Sequence, residues 1–365
     1  MRINLLQPTA DWKTIWEVVK VLRSGWWVYG KKVQEFQDKF AKYVGADYAV
    51  AVNSATSGLD LCLKAYGIRG GELITPAFTF VTDASIGEWN GMDVTFCDVN
   101  PRTFLIDVDS INITPETKVI VAIDCHGRLA DIDGIRRKCK EAGREDILII
   151  EDAAHACFTP GAGKGDITVW SFQGVKTLPT GDGGMVTTND KEIATKLKDL
   201  SWIGIKKYTF DRVGDKKYTW DYDITHDGIK AYMIDIIATI GIGNLARLEK
   251  TNARRREIQQ KYNDAFRGYD WFVEPEYTHT VQYYTPEFKN RDELSEYLAE
   301  KGIHTSVHFK PVSEMTYWKK AKKNPLPNTD EVWLKLLSLP VHNALTNRQQ
   351  NYVIKCVKDF YAKTA

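Results

Sequence analysis

The chain lacks most of the features that announce a function at a glance. Its six cysteines (Cys62, Cys97, Cys125, Cys139, Cys157 and Cys356) are scattered and form no C-x-x-C pair. That excludes a structural zinc site or a disulfide framework and fits a reducing cytoplasm. Neither sign of charge is in excess, with 49 Lys+Arg against 48 Asp+Glu, so no global field favours nucleic acid or an acidic membrane. The longest apolar stretch, Tyr232 to Leu248, is interrupted by Asp235 and by glycine and asparagine, and reads as a buried helix rather than a membrane span. The first residues, Met1 to Pro8, show no long apolar core and no cleavage pattern. Phosphate-loop spacing is missing too: Gly161-Ala162-Gly163-Lys164-Gly165 is glycine-rich, but no Ser or Thr follows the lysine. No G-x-G-x-x-G follows the first strand-like run, which weakens a dinucleotide-dependent dehydrogenase reading.

What is present is an alternation. Strand-like runs at Tyr48–Val52, Glu72–Thr75, Val94–Cys97, Val119–Ile123, Ile147–Ile150 and Thr168–Phe172 are separated by helical patterns. Strands without a polar face, alternating with helices, predict a mostly parallel sheet covered on both sides. Ile15, Val18, Val19 and Leu22 share one helix face, as do Val33, Phe36, Phe40 and Tyr43. A hydrophobic content of 43 % supports a substantial core, and 365 residues suggest about two domains. The character changes near residue 245, where a long polar helix (Leu248 to Phe266) leads into a smaller unit, so the expected division is 1–245 and 246–365.

Chemistry concentrates at the ends of the apolar runs. Lys176 follows the run Ile167–Phe172 and precedes the turn-forming Thr180-Gly181-Asp182-Gly183-Gly184. A lysine at the rim of a buried sheet is a candidate Schiff-base nucleophile, although most lysines are solvated surface residues. The run Ile147–Ile150 ends in Glu151 and Asp152, where open α/β sheets gather active-site groups. Asp152 could hold a pyridine nitrogen protonated, or cap a helix begun by Ala153. His155 could contact a cofactor's phenolic oxygen or be a satisfied core histidine. Asn53-Ser54-Ala55-Thr56-Ser57-Gly58 lies at a strand-to-helix junction, which suits a phosphate as well as ordinary capping. Ser171 is a second hydroxyl of the same kind. Phe80 could stack on a flat ring or belong to the core. Together these are the parts a pyridoxal 5'-phosphate (PLP) site needs. In the aromatic loop Gly25 to Gly30, Trp27 and Tyr29 (with Trp26) could stack on a nucleobase or sugar, or pack two subunits together. His308 could meet a diphosphate or be an ordinary loop residue.

Six motifs occur in order: N-S-A-T-S-G-L, T-P-A-F-T-F-V, I-I-E-D-A-A-H-A, G-D-I-x3-S-F-x3-K, T-G-D-G-G-M-V-T-T-N-D and G-I-x-T-S-V-H-F. From about residue 20 onward the chain resembles the DegT family of PLP-dependent nucleotide-sugar aminotransferases. The resemblance implies an aspartate aminotransferase-like α/β fold: a PLP-binding large domain with a mostly parallel mixed sheet between helices, then a small C-terminal α/β domain. It implies Lys176 as the Schiff-base lysine, Asp152 at the pyridine nitrogen and His155 near the ring oxygen. Phe80 would stack on the ring, with Ala55, Thr56 and Ser171 around the phosphate. Gly228 to Asp235 is similar to the family segment that reaches the neighbouring subunit's phosphate, with Lys230 as the contributed cation. A symmetric homodimer with shared sites follows.

The expected reaction uses L-glutamate as amino donor and a nucleotide-diphosphate keto-sugar as acceptor, with no nucleic-acid or membrane partner. Two rivals share the fold: a PLP-dependent sugar dehydratase, against which Lys176 argues because that branch carries His there, and a non-enzymatic nucleotide-sugar-binding protein.

Overall fold

The computed structural model describes residues 2–206, 208–210, 222–276 and 279–364. Eight strands form the main sheet: β1 (Tyr48–Val52), β2 (Glu72–Pro76), β3 (Asp93–Cys97), β4 (Thr117–Ile123), β5 (Leu148–Asp152), β6 (Ile167–Ser171), β7 (Gly184–Thr188) and β10 (Lys322–Lys323). Their order is β1-β7-β6-β5-β4-β2-β3-β10. All neighbours are parallel except β7, which runs antiparallel to both β1 and β6. Strands β2, β5, β6 and β7 are buried along their whole length, the reason they read as continuous apolar runs. Because β1, β2, β4, β5 and β6 point the same way, their carboxyl ends open onto one edge. The site is built there.

The helices of this part are α1 (Trp12–Ser24), α2 (Lys31–Val44), α3 (Ala55–Tyr66), α4 (Thr82–Trp89), α5 (Ile132–Glu141), α6 (Lys191–Ser201) and α7 (Asp235–Leu245). Helix α2 buries Val33, Phe36 and Phe40, as its periodicity predicts. Helix α1 departs from expectation: Thr14 and Val21 are its buried residues, while Ile15 is 40 % and Leu22 42 % exposed. A side chain at Gly243 of α7 would meet the Thr14 hydroxyl oxygen at 2.1 Å, so this glycine lets α1 lie close on its Thr14 side. The wider apolar stripe of α1, including Trp12 and Trp16, is left on the surface.

Helix α8 (Leu248–Phe266) spans the predicted polar helix and opens a second core. That core gathers Ile258, Tyr262 and Phe266 with residues of α9 (Arg291–Glu300) and α11 (Asn347–Thr364), and takes in Ile3 from the N-terminal segment. The short pair β8 (Phe272–Val273) and β9 (Glu287–Phe288) lies here. The chain then returns to the first core, where Val312, Trp318 and Leu326 pack just before α10 (Pro327–Val332) and β10 joins the edge of the main sheet. Each unit thus borrows a segment from the other's stretch of sequence.

Candidate active site

A cavity of about 640 Å³ opens at the carboxyl edge of the sheet and is lined by Ala55, Thr56, Phe80, Asp152, His155, Ser171, Lys176 and His308, among others. A larger, more open groove of about 890 Å³ lies elsewhere, among Asp107, Asp109, Lys138 and Asn324, and contains none of the predicted residues.

Lys176 stands in the β6–β7 loop, its N–H donating to the Gln173 carbonyl at 2.8 Å. Gln282, from the second core's stretch of sequence, clamps the loop on both sides of the lysine. Its Oε1 accepts from the Thr177 N–H at 3.0 Å, and its Nε2 donates to the Val175 carbonyl at 3.0 Å. Burial lowers the Lys176 pKa from the usual 10.5 to about 8, against the opposing pull of the Asp152 and Asp83 carboxyls. An amine so placed is a nucleophile near neutral pH. Only the unprotonated amine attacks an aldehyde, so the rate at which added PLP is captured should rise with pH and level off above about 8. An unperturbed lysine would keep gaining toward 10.5. Stopped-flow absorbance across that range, on cofactor-free protein, measures it.

The clamp yields a second expectation. Gln282→Leu leaves the buried Thr177 N–H and Val175 carbonyl without their partner, a loss of about 1–3 kcal/mol each at most. Weakened PLP retention with an intact fold, seen by dialysis and circular dichroism, is the expected outcome.

Asp152 ends β5. One of its oxygens, Oδ1, accepts from the Ala154 N–H at 2.9 Å, and the chain continues in turns rather than in the helix its capping alternative required. Burial raises its pKa, while Ala154 and Lys176 hold it down. Glu151, its neighbour, faces the other way. Its carboxylate accepts from the N–H groups of Gly163, Lys164 and Gly165 at 2.8, 2.5 and 2.7 Å. The glycine-rich run is therefore an anion nest, filled by the protein's own side chain.

Three histidines cluster at the cavity, His155 and His308 in its lining. His155 is buried, and its Nδ1 accepts from the His126 backbone N–H at 3.3 Å. Burial and the Lys176 charge push its pKa well below 6.5, so the ring is neutral and its proton sits on Nε2, available to a phenolic oxygen. Phe309 stacks on the same ring at 5.7 Å. His126 Nε2 donates to the His308 carbonyl at 2.9 Å. The His308 ring stacks on Tyr283 at 3.7 Å, and burial and Lys176 lower its pKa to about 3.

The start of α3 also lines the cavity. Ser54 caps it, its hydroxyl accepting from the Ser57 N–H at 3.1 Å. The N–H groups of Ala55 and Thr56 belong to the first turn, have no partner carbonyl within the helix, and lie at the cavity wall. Gly184, opposite Ser171 in the β6–β7 register, lets α3 begin this close to the sheet, since a side chain there would meet the Ala55 nitrogen at 2.7 Å. Phe80, 55 % exposed, presents its ring at the cavity.

Two predicted residues lie outside the cavity, and Lys230, expected at a partner's phosphate, lies outside its own chain's cavity. Tyr29 is buried and stacked on Tyr208 at 3.9 Å, so it serves the core rather than the cavity. Trp27 is exposed, does not line the cavity, and donates its Nε1–H to the Leu22 carbonyl at 3.0 Å. Lys230 is exposed, outside its own chain's cavity, with Nζ 5.9 Å from the centre of the Trp202 ring. Asp83, Gln282, Tyr283 and Phe309 carry no role in the sequence pattern, and of these only Phe309 lies inside one of the six motifs.

The donor set fits PLP: a buried carboxylate for a pyridine nitrogen, helix N–H groups and hydroxyls for a phosphate, a neutral imidazole for a ring oxygen, and an amine of lowered basicity for the aldehyde. A PLP-dependent aminotransferase of fold type I is the class this fold and site define. The chain belongs to the DegT/DnrJ/EryC1/StrS aminotransferase family, whose model matches residues 8–358. It is 35 % identical over 374 residues to the spore coat polysaccharide biosynthesis protein SpsC of Bacillus subtilis (strain 168), covering 96 % of this chain and 95 % of that protein. The crystal structure of the aminotransferase TlmJ from Streptoalloteichus hindustanus superposes with a TM-score of 0.91 at 28 % identity, covering 100 % of both chains. DesI, crystallised in the presence of its TDP-sugar product, superposes at 0.87 with 26 % identity, over 100 % of this chain and 95 % of that one.

Proposed function

We propose that this chain is a sugar aminotransferase that moves an amino group from L-glutamate, through PLP, to a keto group of a nucleotide-linked deoxysugar. The observation that carries it is Lys176: an amine of lowered basicity, in a loop clamped by Gln282, lining a cavity with Asp152 and the start of α3. When bound, PLP supplies an aldehyde to carry the amino group and a ring to accept electrons. The protein does the rest. The Lys176 amine would hold the proton taken from the donor's α-carbon, acting as base and then as acid. Asp152 would hold the ring nitrogen charged, His155 would donate through Nε2–H to the ring oxygen, and Phe80 would cover one face. Ala55, Thr56 and Ser171 would hold the phosphate, and His308 would face the substrate.

The nucleotide-linked acceptor is supported by the likeness to DesI, which was crystallised with a TDP-sugar product. A homodimer is supported by the unpartnered stripe of α1 (Trp12, Ile15, Trp16) and by the place of Lys230, outside its own cavity and free to reach a partner's phosphate. A cytoplasmic setting is supported by six free, buried cysteines. Among the described residues no helix is long and apolar enough to cross a membrane.

The deciding experiment adds L-glutamate alone to PLP-loaded protein. Release of 2-oxoglutarate, stoichiometric with conversion of the cofactor to pyridoxamine phosphate, is expected. A panel of nucleotide keto-sugars then identifies the acceptor by mass and NMR. A cofactor left unchanged by glutamate would overturn the reading in favour of a dehydratase or a binding protein.

A further inference from the structure

Asp83 lies in the first turn of α4, three residues after Phe80, and is 0 % exposed. Its Oδ2 accepts from the Thr79 hydroxyl at 2.5 Å. Its Oδ1 is buried and has no N–H or O–H donor from any described residue. Instead the carboxyl lies within hydrogen-bond reach of the Asp152 carboxyl. The other groups acting on the pair are the Ala154 N–H on Asp152, Lys176 from the β6–β7 loop, and Glu151 adding negative charge behind Asp152.

Two carboxyls that bond each other in a buried site hold one proton between them, because both cannot ionise at that spacing. The partners decide where it sits. Asp152 has a backbone N–H and the stronger attraction to Lys176, so it is the better anion; burial and the Asp152 charge hold the Asp83 acid well above the usual carboxylate range. We propose that Asp83 is a positioning residue for the cofactor's ring: as a neutral acid it keeps its proton and donates it in a hydrogen bond to Asp152, which stays charged and aimed at the ring nitrogen. Its purpose rests on the transaminase reading; its test does not.

Infrared difference spectra, wild type minus Asp83→Asn, on cofactor-free protein at neutral pH read the shared proton directly. The C=O stretch of a protonated carboxylic acid should appear in the difference. Asp124, whose acid burial and Glu151 also hold well above the usual carboxylate range, is common to both proteins and cancels in the subtraction. No acid band in the difference overturns the proposal and leaves the transaminase reading standing. The second arm measures PLP affinity. Asp83→Asn keeps an N–H donor for Asp152 and should bind PLP within about threefold of wild type, whereas Asp83→Leu removes the donor and should lose about tenfold or more, the worth of a hydrogen bond to a charged group. Equal losses in both variants would overturn it. If Asp83→Leu does not fold, the infrared band and the Asn variant alone decide.

Discussion

Replacing Lys176 with alanine is expected to lower the rate of amino transfer by about 10⁴-fold, the upper end of what one positioned acid–base group contributes. No other amine lines the cavity among the described residues, so none can take over the proton transfer. Borohydride treatment of the PLP-loaded wild type should place the cofactor's mass on the peptide holding Lys176 and nowhere in the variant. Arginine at this position separates charge from nucleophilicity, because it restores the cation but not a reactive amine. It should be as inactive as alanine. The fold should not suffer. Lys176 has a folded-state pKa lowered from 10.5 to about 8, so between those values the unfolded chain binds more protons and stability rises with pH; below about 8 the cost of burying the amine is present in full. At neutral pH the alanine variant should therefore melt no lower than the wild type without cofactor. A variant that keeps a tenth of wild-type turnover would remove Lys176 from the chemistry.

The residues that proved legible in the sequence share one property: each sits where a periodic segment stops. Lys176, Asp152 and the Ser54 cap follow runs whose apolar pattern marks a strand, Ser171 stands at the end of one, and the ends of parallel strands meet on one edge of a sheet. The residues that were not legible act across long separations. Gln282 reaches the lysine loop from 105 residues away, and nothing local distinguishes it from any other glutamine. Asp83 follows a motif already noticed, yet its meaning depends on Asp152 lying against it, a consequence of sheet order rather than of spacing. The aromatic loop is harder to read for the opposite reason. Tyr29 and Trp27 look like stacking residues, and in the folded chain Tyr208 stacks on one ring while the Leu22 carbonyl near the end of α1 accepts from the other. The stripe on α1 shows the remaining limit, since periodicity reports an apolar face without saying whether it meets the same chain or another.

The second large effect belongs to Asp152. Its replacement by asparagine keeps the size of the side chain and a hydrogen-bonding oxygen, but removes the anion. A neutral amide does not hold a pyridine nitrogen protonated, so the ring loses the positive charge that draws electrons from the donor's α-carbon. Amino transfer should fall by about 10²–10³-fold, the loss typical of one preorganised electrostatic contact. PLP should still be captured by Lys176, because that step needs the amine alone. The Lys176 pKa should move lower still, since Asp152 is the larger of the opposing pulls named for it, and the pH at which capture reaches half its maximum should drop below about 8. The pair of results is diagnostic. A merely structural Asp152 would impair capture and turnover together, whereas an electrostatic one leaves capture intact, shifts its pH midpoint downward and slows only the proton transfer that follows. Nitrogen-15 NMR of labelled PLP in the two proteins reads the ring's charge directly, and an equally protonated ring in the asparagine variant would contradict the assignment.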